Sequence, residues 1–299
     1  MPNHPLAEVF GYPTDNFSAE ADYCRAGRLC PFKERLKDGG LQRCNKVSEK
    51  DPLGVCSIFN AGGERVITCP VRFQQEWRIA RDAAGYFFPS DAASERVTEV
   101  RLTDQDGKSV GSIDVVLLSP DAQGQITDYG SVEVQAVYIS GNIRRAFEHY
   151  MADPAGRHDM DWRREVNYPR PDFLSSSRKR LAPQLISKGG ILNSWGRKIA
   201  VVLDGSFYDT LPILEEVDKA EADIAWFVYD LVPDTAQNRN LLTLHKTVYT
   251  KFASALLTIT QFEAGSEALF IERLNTKAKQ ARKAKNDDAL STHTLDPNL

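Results

Sequence analysis

Long apolar runs are absent from this chain of 299 residues. The longest, such as Ile199 to Leu203 and Ile224 to Tyr229, fall far short of the roughly 18 residues that a bilayer-crossing helix needs. The start, Met-Pro-Asn-His-Pro, lacks the basic residues and apolar stretch of a secretory signal. The expected location is therefore the reducing cytoplasm, with the five cysteines unbridged. Cysteine is missing after position 69, close cysteine pairs are missing altogether, and no internal repeat is visible. The spacing is not that of a zinc ribbon, and spacing and length together disfavour a rubredoxin-like electron carrier.

A strong net charge is missing too: the total is −4, with 42% apolar and 26% charged residues, the balance of an ordinary globular protein. The charge is unevenly spread. Residues 170–200 hold seven basic groups against Asp172 alone, and residues 273–285 hold six basic groups and no acid. An acidic body thus bears two basic segments, which suits a polyanionic partner. For 273–285 a merely solvated helix face fits equally well.

Residues 1–90 are rich in Gly, Pro, Asn and Asp with weak helical periodicity, which predicts a loop-rich unit. Strand patterns follow at Val97–Thr103, Val110–Leu118 and Ser131–Ile139, joined by turn-forming residues at 104–107 and 119–129. They predict a β-meander. Helical spacing predicts helices at Asn142–Met151, Phe207–Val217 and Thr247–Leu257, and a short one over Leu181–Lys188 that Gly189-Gly190 would end. Residues 152–177, broken by three prolines, read as a loop. Lys198–Leu203 and Ala225–Leu231 are short apolar runs of the kind buried on both faces of a sheet. Strands flanked by helices make the expected fold mixed α/β. Past Ser291 a frayed end is expected.

Cys30, Cys44, Cys56 and Cys69 are separated by 13, 11 and 12 residues. Four separate loops can bring four sulfurs to a tetrahedral ion as well as two knuckles can. The alternative, four buried thiols acting as small hydrophobes, is disfavoured by their crowding into residues 24–69. Cys24 is taken as non-ligating. Zinc and iron both accept such a set, and a closed tetrathiolate shell would be structural, making this region's folding depend on its ion.

Asp114 stands amid Ile113, Val115, Val116 and Leu117, while Glu133 and Gln135 lie two apart on the next strand, on one face of it. If those strands pair, Asp114 and Glu133 approach closely, and two such carboxylates repel unless a cation lies between them. Oxygen ligands of this kind suit Mg²⁺, and Glu99 on the first strand stands near enough to join them. These residues also fit the wet face of an antiparallel sheet, and periodicity does not choose between the two.

Taken together, Leu29-Cys30-Pro31-Phe32, Cys44, Gly54-Val55-Cys56, Thr68-Cys69-Pro70, Glu99, Asp114 and Val132-Glu133-Val134-Gln135 resemble the NotI-type Type II restriction endonucleases of the PD-(D/E)xK nuclease superfamily. The similarity spans roughly residues 1–145. It implies a four-cysteine metal-binding region over 1–92, a PD-(D/E)xK-like catalytic and DNA-binding domain over 93–272, and a basic helix with a frayed tail over 273–299. The resemblance further implies Mg²⁺ on Asp114, Glu133 and the Val134 carbonyl, with Gln135 in the place of the usual lysine and Glu99 as an additional acid. It also implies iron, or zinc, at the four cysteines. The assembly expected is a homodimer on palindromic duplex DNA, with a cognate methyltransferase in the same host. Ile113 stands before Asp114 where the generic nuclease motif has proline.

Candidate phosphate contacts are Arg178, Lys179, Arg180, Lys188, Arg197 and Lys198; Arg144, Arg145, Arg170 and Asn193 are candidates for base reading. Two competing functions remain in view: another nuclease of the same core, acting in repair or on junctions, and a catalytically inert DNA-binding module.

Overall fold

Alternating sequence in three consecutive segments becomes a meander in the computed structural model of the chain, which describes residues 2–90, 92–261 and 264–291. The strands in chain order are β1 (Leu6–Val9), β2 (Tyr12–Pro13), β3 (Leu29–Cys30), β4 (Gln42–Arg43), β5 (Val55–Phe59), β6 (Arg65–Ile67), β7 (Glu95–Thr103), β8 (Ser109–Pro120), β9 (Ile126–Gln135), β10 (Tyr138–Ser140), β11 (Arg170–Asp172), β12 (Ile199–Asp204), β13 (Ile224–Asp234) and β14 (Arg239–Thr250). Strands β7, β8 and β9 pair antiparallel, as the alternation predicts. Their two turns are closed by aspartates: Asp104 accepts the N–H groups of Asp106 and Lys108, and Asp121 those of Gln123 and Gln125. β9 ends at Gln135, and Tyr138–Ser140 leaves to pair with β11.

The meander is half of a six-stranded sheet ordered β14-β13-β12-β9-β8-β7. β12 runs parallel to both β9 and β13, and β14 closes the far edge antiparallel. The apolar runs expected to lie inside a sheet do so, since all six residues of β12 are buried. One face of the sheet, through Val201, Leu203 and Trp226, packs on Leu181, Leu185, Leu192 and Phe252. The other, through Val202, Phe227 and Tyr229, packs on Phe73, Ile79 and Ala83. A fully buried side chain of this size stabilises by about 1.5–3 kcal/mol, and Trp226 also satisfies its ring N–H on the Thr250 hydroxyl at 2.9 Å. The result is a mixed α/β architecture with helices on both sheet faces.

Residues 1–90 are more ordered than their composition suggests. They form a four-stranded sheet, β2-β1-β5-β6, a β3–β4 hairpin, and helices Ala19–Gly27 and Arg78–Phe87. The expected loop at 152–177 holds the short helix Pro154–Arg157 and β11, while Ile143–Ala152 is helical as its spacing predicts.

Three helix expectations are corrected. Of the Phe207–Val217 segment only Phe207 and Tyr208 are helical, as the end of the short helix Gly205–Tyr208; Pro212 lies four residues on, and proline disfavours helix both at its own position and at the residue before it. Of Thr247–Leu257, the first four residues belong to β14, and the helix is Phe252–Thr260. Buried Val248 and Thr250, both β-branched, alternate with half-buried Thr247 and Tyr249, and strand pairing prevails over helical spacing. The Leu181–Lys188 helix is part of an unbroken helical run over 173–194, with wide π turns at Ser177–Leu181 and Leu185–Gly189. Gly189 does not end it. A Cβ there would stand 2.8 Å from the Phe252 ring, so glycine lets the run lie close against Phe252–Thr260.

The chain divides into two compact units, Met1–Thr260 and Gln261–Leu299. In the second, Glu267–Ser291 is one helix, exposed wherever its side chains are described, and it contains the basic segment 273–285. The frayed end expected past Ser291 lies outside the described residues. No helix among the described residues is long and apolar enough to cross a membrane.

Candidate active site

The β8–β9 ladder runs from Pro120↔Ile126 to Val115↔Val132 and stops there. One step further the register sets Asp114 opposite Glu133, and directly opposed residues of an antiparallel pair project to one face. The N–H of Val134 goes to Asp114 Oδ2 at 2.8 Å. On the other side, the pairs Thr98↔Val115 and Val100↔Ile113 set Glu99 alongside Asp114. Glu99 has φ +55°, a conformation few non-glycine residues adopt and one that clusters at functional sites. Its side chain is exposed. Glu133 pairs in register with Val201 of β12, which packs beneath the 173–194 run, so the row of acids faces that run.

Glu133 is 5% exposed. Its Oε2 accepts from Lys188 Nζ at 2.7 Å, and its Oε1 is buried without a partner. Burial, reinforced by the charges of Asp114 and Glu99 and opposed by Lys188, pushes its pKa up to about 8. Burial also raises Asp114, against the pull of the Val134 N–H, Lys188 and Arg180. Crowded carboxylates and an orphaned oxygen fit a divalent ion of the Mg²⁺ type, which needs only one or two carboxylates from the protein. Among the described residues, no three His, Cys, Asp or Glu are grouped so as to hold a metal. Gln135 is buried and turns its amide N–H to the Ala136 carbonyl at 2.8 Å.

Cys30, Cys44, Cys56 and Cys69 are all free and buried, and all line one cavity of about 380 Å³. They stand on or beside β3, β4, β5 and β6, so the two small sheets bring them together. Burial pushes Cys30 up to about 11 and Cys56 well above its ordinary value, and the other cysteines add to both. The buried Lys46 ammonium reaches the same cavity, donating to the carbonyls of Val55 at 2.6 Å and Thr68 at 2.8 Å. Four thiols are the donor set of a tetrathiolate ion, but although these four line one space they are not gathered so as to hold an ion as they stand. Cys24 is not among the residues lining the cavity; it is buried in the helix Ala19–Gly27.

The basic candidates divide. Arg144 pairs with Asp51 at 2.6 Å and Arg145 with Glu165 at 2.8 Å. Arg197 pairs with Asp128 and lies over Tyr129, and Lys198 lies over Tyr86. Arg178, Lys179, Arg180, Arg170 and Asn193 are exposed; Arg180 lies over the Tyr138 ring at 5.0 Å and hydrogen-bonds its hydroxyl. Lys188 is only 6% exposed, so in the free protein it faces Glu133 rather than solvent. Its expected place among the phosphate-contacting cations is thus corrected for the free protein. A contact between residues 55 apart on a helix and a strand leaves no local pattern to find.

Asp204, at the end of β12 and 1% exposed, accepts from the Ile67 N–H at 2.9 Å and caps the turn at Phe207. Burial raises it to about 7. Asp204 and Glu133 thus have folded-state pKa values above their unfolded ones. Their stability contribution is whole below about pH 4 and is lost as pH rises through about 7 to 8. In chelator, the denaturant midpoint should fall from pH 5 to pH 9, Asp204 alone contributing on the order of 2–4 kcal/mol. Asp204→Asn should flatten that slope; an unchanged slope would remove Asp204 as its source.

A family model described as restriction endonuclease NotI matches residues 15–242, which span all four cavity cysteines, Glu99, Asp114, Glu133, Gln135 and the whole 173–194 run. No curated protein matches the chain. The chain belongs to the NotI restriction endonuclease family, hydrolases that cut double-stranded DNA at a specific site.

Proposed function

We propose that the chain is a Mg²⁺-dependent Type II restriction endonuclease of the PD-(D/E)xK kind, acting in the cytoplasm as a homodimer on a palindromic site, each subunit cutting one strand. The observation that supports this is the facing pair Asp114 and Glu133, where the β8–β9 ladder ends and Glu133 Oε1 is buried without a partner. These two carboxylates and the Val134 carbonyl would hold the ion, with Glu99 beside them. An ion held by these residues would supply stabilisation for the charge that gathers on the phosphate in the transition state. Asp114 is steadied for that role by the Val134 N–H. Gln135 orients the attacking water, since an amide has no proton affinity to act as its base. Arg178, Lys179 and Arg180 hold the DNA backbone. A cognate methyltransferase would protect the host's own sites.

Long duplex DNA incubated with the protein and Mg²⁺ should yield discrete fragments whose sequenced ends share one site. A smear would point to an unspecific nuclease, cutting only at branched DNA to a junction enzyme, and binding without cutting to an inert module.

The cysteine cavity is proposed to hold iron or zinc, as a structural ion remote from the reaction. Elemental analysis of purified protein should find about one such ion per chain, and Cys56→Ser should lose it and lower thermal stability. Metal-free protein with native stability would refute that site.

A further inference from the structure

The strand that carries Glu133 has an amide, Gln135, and no cation. A cation nevertheless reaches the site from another part of the chain. Lys188, in the wide turn Leu185–Gly189 of the 173–194 run, places Nζ 2.7 Å from Glu133 Oε2. Both side chains are buried, at 8% and 6% exposure, and the ammonium's charge also reaches Asp114. Its stem passes Gly111 of β8, where a Cβ would stand 3.4 Å from Lys188 Cε. A lysine whose task is to hold DNA phosphate keeps its head in water, as the exposed Lys179 on the same run does. Interruptions of helical register such as this π turn recur at functional sites.

We infer that Lys188 is the positioning cation of the reaction centre. It fixes the Glu133 carboxylate so that Oε1 faces the ion, and it supplies from a helix the positive charge that strand β9 lacks. This rests on the assignment of Asp114 and Glu133 as ion ligands.

Three variants test it: Lys188→Met, which keeps the stem and removes the charge; Lys188→Arg, which keeps the charge; and Lys188→Met combined with Gln135→Lys, which restores a cation from the strand. Lys188→Met should lower the single-turnover cleavage rate by about 10²–10³-fold, with the Kd for duplex DNA in Ca²⁺ changed by less than about threefold. The double variant should recover at least about tenfold in rate, and Lys188→Arg should retain more rate than Lys188→Met. The inference is overturned if Lys188→Met cleaves like the native chain. It is overturned equally if DNA affinity falls as much as the rate does, which marks a phosphate contact, or if neither Gln135→Lys nor Lys188→Arg preserves activity above Lys188→Met. Should Lys188→Met fail to fold, Lys188→Arg alone decides, by a rate within about tenfold of native or a loss as deep as that of Glu133→Gln. Glu133→Gln, run alongside, separates the two claims: if it too cleaves normally, the ion-ligand assignment falls, and if it is inactive while the Lys188 variants cut, only the inference about Lys188 falls.

Discussion

Glu133→Gln should cut DNA at least about a thousandfold more slowly than the native chain while still binding duplex DNA in Ca²⁺. The size follows from what the carboxylate does. An ion supplies several kcal/mol of charge stabilisation to the transition state, and about 4 kcal/mol corresponds to a thousandfold in rate. The amide has the same shape, so packing under the 173–194 run is kept, and it removes a carboxylate that burial and Asp114 already drive toward protonation. The change does leave the buried Lys188 ammonium without its charged partner, so some stability should be lost, and duplex DNA binding by the folded variant in Ca²⁺ is what separates loss of chemistry from loss of fold. Asp114→Asn should behave alike, because its remaining amide oxygen can still accept the Val134 N–H. Rates within tenfold of native for both variants would remove these residues from the reaction.

The second large effect concerns folding. Glu8 of β1 and Arg72, in the 3₁₀ turns after Cys69, are both fully buried. Arg72 donates from Nε and Nη2 to the two Glu8 oxygens at 2.9 and 3.0 Å, from Nη2 to the Asn240 carbonyl and from Nη1 to Gln75. Asn240 and Ser57 complete the shell of Glu8, and Gln75 accepts the Leu242 N–H. The network joins the small N-terminal sheet to β14 of the large one. Breaking a buried pair from one side leaves an uncompensated charge and costs about 3–5 kcal/mol. Arg72→Met should lose that much in denaturant unfolding, and Glu8→Leu with Arg72→Met should recover a large part of it. Equal losses for single and double variants would mean that the cost lies in packing instead of charge.

The two buried strands are legible because β12 and β13 are covered on both faces and so read as unbroken apolar runs. The meander was legible from alternation and from Asp-rich turns. Thr247–Leu257 misled because apolar residues at helical spacing can also alternate, and only the β13 partner decides between the two. Gly189 misled because a glycine that admits a neighbouring ring looks, in one dimension, like a glycine that stops a helix. At the candidate site, the sequence had Asp114 and Glu133 on neighbouring strands, and the structure has them opposite one another. Lys188, Glu8 and Arg72 were out of reach for a common reason: each gains its meaning from a partner more than fifty residues away.

Strand β9 is gripped on both edges, antiparallel to β8 and parallel to β12. A slip of one residue would have to break both ladders at once, and it would turn Glu133 away and bring a valine in its place. The centre therefore admits no half-assembled version. A damaged molecule is blank rather than sloppy, which is a useful trait for an enzyme whose careless action would fall on its own genome.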